Sequence, residues 1–209
     1  MERLLEQYIK DHSSPEDPVL TELYRQTHIK FVNPNMVCGH LQGQLLEFIV
    51  HMSNPKNILE IGTYTGYSAI CLAKGLKEDG KLYTIEINDE LTEFSQHYFK
   101  KAGVADKIIQ LTGDAIEIIP TLDVTFDLIY IDGDKREYIK YFETSLDKLN
   151  EGGTIIADNI LWGDKVLDSD TKDQQTRGVI AFNEAIKERK DIEKVIIPLR
   201  DGLTLIRRI

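Results

Sequence analysis

The chain has 209 residues, of which 42% are hydrophobic and 29% are charged, the balance of an ordinary globular domain. Its 35 Asp and Glu residues outnumber its 25 Lys and Arg residues, which gives a formal net charge of −10 at pH 7. Because affinity for phosphates comes mainly from clustered Lys and Arg, this charge disfavours a general nucleic-acid or membrane-surface binder.

The sequence predicts a protein of a reducing compartment. Two of the first ten residues are acidic and no long apolar stretch follows them, so the start does not resemble a secretory signal. No apolar run approaches the roughly 20 residues that span a bilayer. The two cysteines, Cys38 and Cys71, form neither a disulfide framework nor a CxxC pair. We therefore expect a cytoplasmic location and no membrane partner.

The first 52 residues precede the predicted sheet and are mostly helical in pattern. Turn-forming residues interrupt this region at Asp11–Pro18 and again at Asn33–Asn35. We predict an N-terminal helical cover over residues 1–52, on the acceptor side of a site or at a partner surface. A core of residues 53–209 then completes a single domain.

Short apolar segments alternate with longer amphipathic segments along the rest of the chain. Leu128–Ile131 and Thr154–Ala157 are apolar on both faces, which is typical of central parallel strands covered by helices. The alternation predicts an α/β fold with a doubly wound sheet. Only Leu199–Gly202 separates the last two strand segments, which predicts an antiparallel hairpin at the sheet edge. The predicted strands are Asn57–Gly62, Lys81–Ile87, Lys107–Leu111, Phe126–Asp132, Gly153–Asp158, Glu193–Pro198 and Leu203–Arg208, and the predicted helices between the first five are Tyr67–Leu76, Asp89–Ala102, Ala115–Ile119 and Glu137–Leu149.

A glycine-containing turn follows the first predicted strand, where open α/β sheets bind their ligands. Gly62 and Gly66 allow a tight turn and a close approach of the backbone to a ligand. Tyr64 breaks the GxGxxG fingerprint, which counts against NAD or FAD. Glu86, twenty positions after Gly66, ends the second strand, where an acid can accept hydrogen bonds from a ribose. Asp114 follows the third strand and is a candidate for the adenine edge, although turns and helix caps are the alternative interpretation.

Oxygen-bearing side chains follow the fourth and fifth predicted strands. Asp132 ends the fourth strand, and Asp158 and Asn159 end the fifth. If these strands are neighbours, their ends lie about 5 Å apart. An all-oxygen set suits a hard divalent cation such as Mg²⁺, whereas zinc more often recruits His or Cys, and neither lies nearby in the sequence. Two ordinary turns are the alternative interpretation.

Lys135 lies three positions after Asp132. A lysine beside a metal in a partly desolvated pocket can act as a general base. Position alone favours the alternative, an ordinary surface lysine at the start of the Glu137–Leu149 helix. We interpret Asp134 and Arg136 as solvated.

Five segments, in this order along the chain, resemble the metal-dependent, S-adenosylmethionine-using O-methyltransferases of the catechol and caffeoyl-CoA O-methyltransferase family. The resemblance runs from about Met36 to Ile209. The segments are Met36–Gln44 ahead of the first strand, Leu59–Ala69 at the cofactor loop, Tyr130–Lys135 and Ala157–Trp162 at the two metal-binding segments, and Asp201–Arg208 at the closing hairpin.

The resemblance implies a Rossmann-like, seven-stranded, mostly parallel sheet with an antiparallel last strand, in a homodimer. It implies S-adenosylmethionine as the methyl donor and a divalent cation, Mg²⁺ first, with Ca²⁺ or Mn²⁺ as alternatives. In the family's pattern Asp132, Asp158 and Asn159 are the metal ligands, and Lys135 is the catalytic base that acts with Asp132 and Asn159. The residues implied to bind or line the cofactor pocket are Cys38, Gly39, Glu60, Gly62, Tyr64, Ser68, Glu86, Gly113, Asp114, Ala115 and Asp132.

The implied activity is O-methylation of a small catechol-like or other vicinal-hydroxyl aromatic acceptor. The catechol branch carries a bulky aromatic residue at the position of Asp134, so the local pattern is closer to the caffeoyl-CoA branch and its bacterial relatives. Met36, Trp162 and residues 1–35 are candidates for the acceptor pocket, with core or dimer packing as the alternative. Three further hypotheses stay open: a tRNA hydroxyuridine O-methyltransferase of the same family, a nicotinamide oxidoreductase, and a non-catalytic ligand-binding protein on this fold.

Overall fold

Residues 2–209, the part of the chain that the computed structural model describes, form seven β-strands and eight α-helices. Met1, the first residue of the predicted cover, lies outside the described residues. The strands are β1 Asn57–Ile61, β2 Lys81–Glu86, β3 Ile108–Thr112, β4 Phe126–Ile131, β5 Leu149–Asp158, β6 Ile192–Ile197 and β7 Leu203–Arg208. The helices are α1 Glu2–Asp11, α2 Pro18–Lys30, α3 His40–Ser53, α4 Tyr67–Gly75, α5 Thr92–Lys101, α6 Ala115–Thr121, α7 Tyr138–Lys148 and α8 Gln174–Glu188.

The strands form one sheet in the order β3-β2-β1-β4-β5-β7-β6. The pairs among β1 to β5 are parallel, and β7 runs antiparallel to both β5 and β6. The predicted doubly wound α/β sheet with an antiparallel last strand is therefore confirmed. The predicted hairpin is also confirmed, with β6 at the edge and β7 between β6 and β5.

Alternate residues of the central strands pack into two separate apolar clusters, one on each face of the sheet. Leu128 and Tyr130 of β4 join a cluster that includes side chains of α2, α3, α4 and α5. Ile129 and Ile131 of the same strand join a second cluster, which includes side chains of α6, α7 and α8. Because both faces are covered, the central strands are mostly apolar, and the polar groups that they carry to the cavity lie at their ends.

The helix α8 is absent from the sequence-based prediction, which assigned no element between β5 and β6. Its buried face repeats at Val179, Phe182 and Ile186, and Asp173 caps its first turn by accepting a hydrogen bond from the Thr176 N–H (3.0 Å). This periodicity and this cap are ordinary helix signals. The segment that precedes the helix is polar, which favours a loop over a helix in a reading of the sequence pattern.

The strand β5 begins at Leu149, earlier than the predicted start at Gly153. The glycine pair Gly152-Gly153 is typical of a turn, but here it lies inside the strand. The pairing of β5 with β4 shifts register between Phe126 and Leu128, so the irregularity is absorbed as a bulge. The bounds of the other predicted strands and helices agree closely with the structure, apart from Asp89–Leu91, which forms a short 3₁₀ turn ahead of α5.

The N-terminal helices pack against the sheet face that α4 and α5 also cover. Leu20 and Leu23 of α2 and Leu46 and Val50 of α3 are buried in that cluster. The helices of this region are interrupted by loops over 12–17 and 31–39, as the sequence predicts for the cover. The boundary between the cover and the core at residue 52 stays a prediction. Among residues 2–209, no helix is both long and apolar enough to cross a membrane.

Candidate active site

A cavity of about 910 Å³ opens at the carboxyl ends of the central strands. The loops that follow β1, β2, β3, β4 and β5 form its floor, and the segment Val32–Cys38, between α2 and α3, forms part of its wall. This is the edge at which open α/β sheets bind ligands, and the volume is within the usual range for small-molecule sites, about 300–1,000 Å³.

The register of the sheet places three of the predicted residues side by side. Ile131 of β4 pairs with Ile61 of β1 and with Ala157 of β5, so the residues that follow them, Gly62, Asp132 and Asp158, leave the sheet at one level. The fourth and fifth strands are therefore neighbours, which is the condition on which the predicted oxygen set depends.

Gly62 lies against the backbone of Asp132. Its φ is +98°, and a Cβ at this position would overlap the carbonyl oxygen of Asp132. Only glycine avoids both the strained backbone and the overlap. The loop after β1 can therefore cross close to the end of β4, and the floor of the cavity stays open.

Glu86 stands at the end of β2, where the sequence places a ribose-binding acid. The Tyr64 N–H donates to Glu86 Oε2 (2.7 Å), and the Asn88 N–H donates to Glu86 Oε1 (3.0 Å). These bonds fix the carboxylate at the cavity wall, and each of its oxygens keeps a lone pair for a ligand hydroxyl. Asp114 also lines the cavity while it caps α6, since it accepts a hydrogen bond from the Ile116 N–H (2.9 Å). Asp114 can therefore cap α6 and still face a ligand in the cavity.

Most residues of the predicted cofactor set lie on the cavity wall, but two do not. Gly39 lies beside the wall as the N-cap of α3. Glu60 is completely buried beneath the loop after β1, where Thr84 Oγ1 donates to its Oε2 (2.6 Å) and its Oε1 has no hydrogen-bond partner among the described residues. Burial raises the pKa of Glu60 to about 8. The residues on the wall are Cys38, Gly62, Tyr64, Ser68, Glu86, Gly113, Asp114, Ala115 and Asp132.

Asp158 is held from inside the protein. Gln42 Nε2 and Tyr130 Oη both donate to Asp158 Oδ2, and the Asn159 N–H donates to its Oδ1 (2.6 Å). Asn159 adopts a φ of +55°, and its side-chain amide makes no hydrogen bond to any group that the structure describes, since its bond to Asp158 comes from the backbone N–H. The amide oxygen of Asn159 is therefore available to a ligand in the cavity, which both Asn159 and the buried Asp158 line.

Asp132 and Lys135 form an ion pair at the floor of the cavity. Lys135 Nζ donates to Asp132 Oδ1 (2.9 Å) and to Tyr138 Oη. Burial, with the neighbouring charge of Asp158, raises the pKa of Asp132 to about 6, although the positive charges of Lys135 and Arg200 oppose this shift. Lys135 is 5% exposed, so the surface-lysine interpretation is wrong.

The oxygens at this site fit a hard divalent cation. The three side chains offer two carboxylates and one amide, which are oxygen ligands of the kind that hard divalent cations prefer, and burial is the main cause of the raised pKa of Asp132. No group of three or more His, Cys, Asp or Glu side chains arranged for a metal occurs among the described residues. This agrees with a set that has only two carboxylates and completes its ligands with Asn159.

Several residues that shape the site are missing from the sequence-based prediction. Gln42 reaches Asp158 across 116 positions of the sequence, and nothing local to either residue indicates the pair. Gln175 Oε1 accepts a hydrogen bond from the Lys135 N–H (3.0 Å), and it lies on the helix α8 that was missed. Asp134 and Arg136, predicted to be solvated, form an ion pair that also lines the cavity.

Comparison with known proteins identifies the family. The O-methyltransferase family model matches residues 10–209. The chain belongs to the O-methyltransferase family. It is 33% identical to caffeoyl-CoA O-methyltransferase 1 of Arabidopsis thaliana, over 98% of this chain and 84% of that protein. It is also 34% identical to caffeoyl-CoA O-methyltransferase 5 of Nicotiana tabacum, over 98% of this chain and 91% of that protein.

Solved structures of similar O-methyltransferases share the whole fold. TomG from Streptomyces achromogenes, in complex with SAM, superposes with a TM-score of 0.91 at 33% identity, over 98% of this chain and 95% of that one. The O-methyltransferase from Bacillus cereus, in complex with SAH, gives a TM-score of 0.88 at 28% identity, over 99% and 97% of the two chains. The chain is thus an S-adenosylmethionine-dependent O-methyltransferase of the caffeoyl-CoA O-methyltransferase type, rather than a nicotinamide oxidoreductase or a non-catalytic binding protein.

Proposed function

We propose that this O-methyltransferase transfers the methyl group of S-adenosylmethionine to one of two adjacent hydroxyls on a small aromatic acceptor, with a divalent cation, Mg²⁺ first. The observation that carries the proposal is the oxygen set of Asp132, Asp158 and Asn159 at the ends of β4 and β5. It lies beside the buried Lys135, in the cavity that also contains Glu86. Two adjacent acceptor hydroxyls match such a set because both can approach one cation.

We propose that the two reactants bind at opposite ends of the cavity. The ends of β2 and β3, with Glu86 and Gly113–Ala115, offer polar groups for the ribose and adenine of the donor. The ends of β4 and β5 offer the charged groups for the acceptor. Gly62 lies between the two ends, where the methyl group would pass from sulfur to oxygen in line. Holding two reactants in such an arrangement can lower the barrier by up to roughly 7–11 kcal/mol.

The acceptor must lose a proton before or during methyl transfer. A phenol has an ordinary pKa of about 10 and is mostly protonated near neutral pH, which makes it a poor nucleophile. A divalent cation held by Asp132, Asp158 and Asn159 would supply positive charge that favours the ionised hydroxyl. Lys135 Nζ is the group that we assign to take the proton, after it has given up the proton that makes it the cation of the ion pair with Asp132, and Asp132 Oδ1 and Tyr138 Oη hold that nitrogen in place.

Trp162 and Met36 lie at the rim of the acceptor end. The ring of Trp162 is 5.7 Å from Lys135 Nζ, and Met36 is more than half exposed in the segment between α2 and α3. Apolar surface beside the charged floor suits a flat aromatic ring. We propose that these two side chains contact the ring of the acceptor.

The test is methyl transfer from labelled S-adenosylmethionine to catechol and 3,4-dihydroxybenzoate, with Mg²⁺ and with EDTA. We expect labelled product with Mg²⁺ and none with EDTA, and we expect Asp158→Ala to abolish the response to Mg²⁺ with most of the activity. Donor binding without transfer to any vicinal-diol phenol would overturn the proposal for the acceptor and direct the search to tRNA. Methyl transfer that is equally fast in EDTA would contradict the proposal that the reaction requires a divalent cation.

We further propose a homodimer in the cytoplasm. Phe48 and Met52 on α3 and Val195 and Ile196 on β6 are half-exposed or more, which supports an interface that would cover them. Cys38 and Cys71 are free thiols, which supports a reducing compartment. Light scattering on the purified protein should give twice the mass of the 23.9 kDa chain, and a monomer would contradict the dimer.

A further inference from the structure

Arg200 is the unusual residue of the turn that joins β6 to β7. Its φ is +51°, a left-handed conformation that long side chains rarely adopt. The Gly202 N–H donates to the Leu199 carbonyl (2.9 Å), which closes the turn, and the Leu161 N–H donates to the Asp201 carbonyl (2.9 Å), which joins the turn to the segment after β5. A strained backbone held by its surroundings in this way is typical of functional sites.

The guanidinium of Arg200 reaches the wall of the cavity. Both Nη1 and Nη2 donate to the carbonyl oxygen of Val37 (3.2 Å each), which lies in the segment between α2 and α3. A guanidinium has five N–H donors, so three are left for a ligand. The same contact fixes Val37, and therefore the guanidinium forms a rigid part of the wall.

Arg200 differs from the other cations of the cavity in its partners. Four cationic side chains line the cavity. Three form ion pairs: Lys135 with Asp132 (2.9 Å), Arg136 with Asp134, and Lys140 with Glu137 (2.7 Å). Among the side chains that the structure describes, which do not include those of Glu2 and Glu6, no carboxylate lies within ion-pair distance of Arg200. An unpaired cation facing the cavity of a chain with a net charge of −10 is available to bind an anion.

The sheet order places Arg200 at the acceptor end. Strand β7 is the neighbour of β5, which carries Asp158 and Asn159, whereas β2, which carries Glu86, is four strands from β7. At about 4.8 Å for each strand, the turn lies roughly 5 Å from the line of β5 and roughly 19 Å from the line of β2. The backbone of Arg200 therefore lies at the β4–β5 end, which favours the acceptor as the source of an anion at this residue. Its guanidinium extends to Val37, beside Cys38 of the predicted cofactor set, so the donor is the alternative source that the binding measurements below must distinguish.

We propose that Arg200 is a specificity-determining residue that selects aromatic acceptors carrying a carboxylate. This inference rests on the proposed function, because it assumes that the vicinal hydroxyls of the acceptor lie at Asp132, Asp158 and Asn159. A carboxylate on the same ring system then points toward the β6–β7 turn and accepts charge-assisted hydrogen bonds from the free N–H groups of Arg200.

The experiment compares 3,4-dihydroxybenzoate with its neutral methyl ester as acceptors for the wild type, Arg200→Gln, Arg200→Lys and Arg207→Gln. We expect the wild type to prefer the acid. In Arg200→Gln, kcat/KM for the acid should fall about ten- to hundredfold, since a charge-assisted bond is lost, while the ester is little affected. Arg200→Lys should keep part of the preference. Arg207→Gln, an exposed change of the same charge on β7, should keep all of it.

Binding measurements distinguish acceptor recognition by Arg200 from donor binding and from a structural contact. Calorimetric titration of 3,4-dihydroxybenzoate into the SAH-saturated protein with Mg²⁺ should show weaker binding to Arg200→Gln, with the affinity for SAH unchanged. A loss of SAH affinity would assign Arg200 to the methionine carboxylate of the donor and overturn the inference. Equal losses for acid and ester would overturn it in favour of a purely structural contact with Val37. Wild-type turnover of the ester without any preference for the acid would also overturn it while leaving the proposed function intact. If the wild type methylates neither compound, the proposed function itself fails.

Discussion

Gly178 on α8 lies directly against the backbone of Lys135. A Cβ at position 178 would overlap the carbonyl oxygen of Lys135, and no other residue type leaves that space open. Through this contact, α8 supports Lys135 at the floor of the cavity, although the helix contributes no charged group to the reaction. On the same helix, Gln175 accepts the hydrogen bond of the Lys135 N–H, so α8 fixes this turn at two points.

Gly178→Ala should therefore displace Lys135 and lower kcat. The added methyl group must be accommodated by a backbone shift, and overpacking of this kind typically costs about 1–3 kcal/mol of stability. We expect kcat to fall about tenfold or more, since small displacements of a catalytic group are costly, with donor binding largely retained. Steady-state kinetics and SAH titration measure both quantities. Ala185→Ser, which adds one atom at an exposed position of α8, is the control, and equal activity of the two variants would contradict the prediction.

The sequence predicts the fold well because the signals for the fold are local. Apolar segments such as Leu128–Ile131 and the Asp201-Gly202 turn lie within a few residues, so strands, sheet type and hairpin follow from them. The strand-end residues Gly62, Glu86, Asp132 and Asp158 are predictable for a related reason. Parallel strands bring their carboxyl ends to one edge, whatever the order of the strands.

The contacts that complete the site are not local, and the sequence does not reveal them. Gln42 and Asp158 are 116 positions apart, and Gly178 and Lys135 meet only because α8 packs beside α7. The free guanidinium of Arg200 depends on which carboxylates the fold places out of its reach. Such relationships follow from the tertiary arrangement rather than from the residue types alone.

Lys135→Ala should lower turnover far more than it weakens donor binding. Removal of a general base typically costs a factor of about 10²–10⁴ in rate. Among the described residues, the hydrogen bonds of Lys135 go to Asp132, Tyr138 and Gln175 and not to Glu86 or the loop after β1, which face the donor, so the affinity for SAH should change little. Lys140→Ala is the matched control, because Lys140 lines the same cavity with a largely exposed side chain. Near-normal turnover of Lys135→Ala across neutral pH would refute the assignment of the base.

Gln42→Ala should weaken the response to Mg²⁺. Gln42 Nε2 donates to Asp158 Oδ2, and its loss leaves Tyr130 as the remaining side-chain donor to that oxygen. Residues that orient a metal ligand commonly change metal affinity by about 10–100-fold when they are replaced. We expect the Mg²⁺ concentration for half-maximal activity to rise by about tenfold or more. Gln44→Ala, on the same helix and partly exposed, should leave it unchanged, and a shift shared by both variants would attribute the effect to α3 as a whole.

Glu60→Gln should remove a pH dependence of stability. Burial raises the pKa of Glu60 from an ordinary value of 4.5 to about 8, so between these values the folded state binds the proton more strongly than the unfolded state. The free energy of unfolding of the wild type must then fall as the pH rises through this window, by an amount on the order of 5 kcal/mol at most. The neutral glutamine has no such proton to lose. Urea unfolding at about pH 5 and about pH 9 measures this difference. The free energy of unfolding of Glu60→Gln should rise relative to that of the wild type as the pH rises. The control Glu90→Gln, at an exposed position, should show the same pH dependence of the free energy of unfolding as the wild type. If Glu60→Gln also shows the wild-type pH dependence, the prediction for the buried carboxyl is wrong.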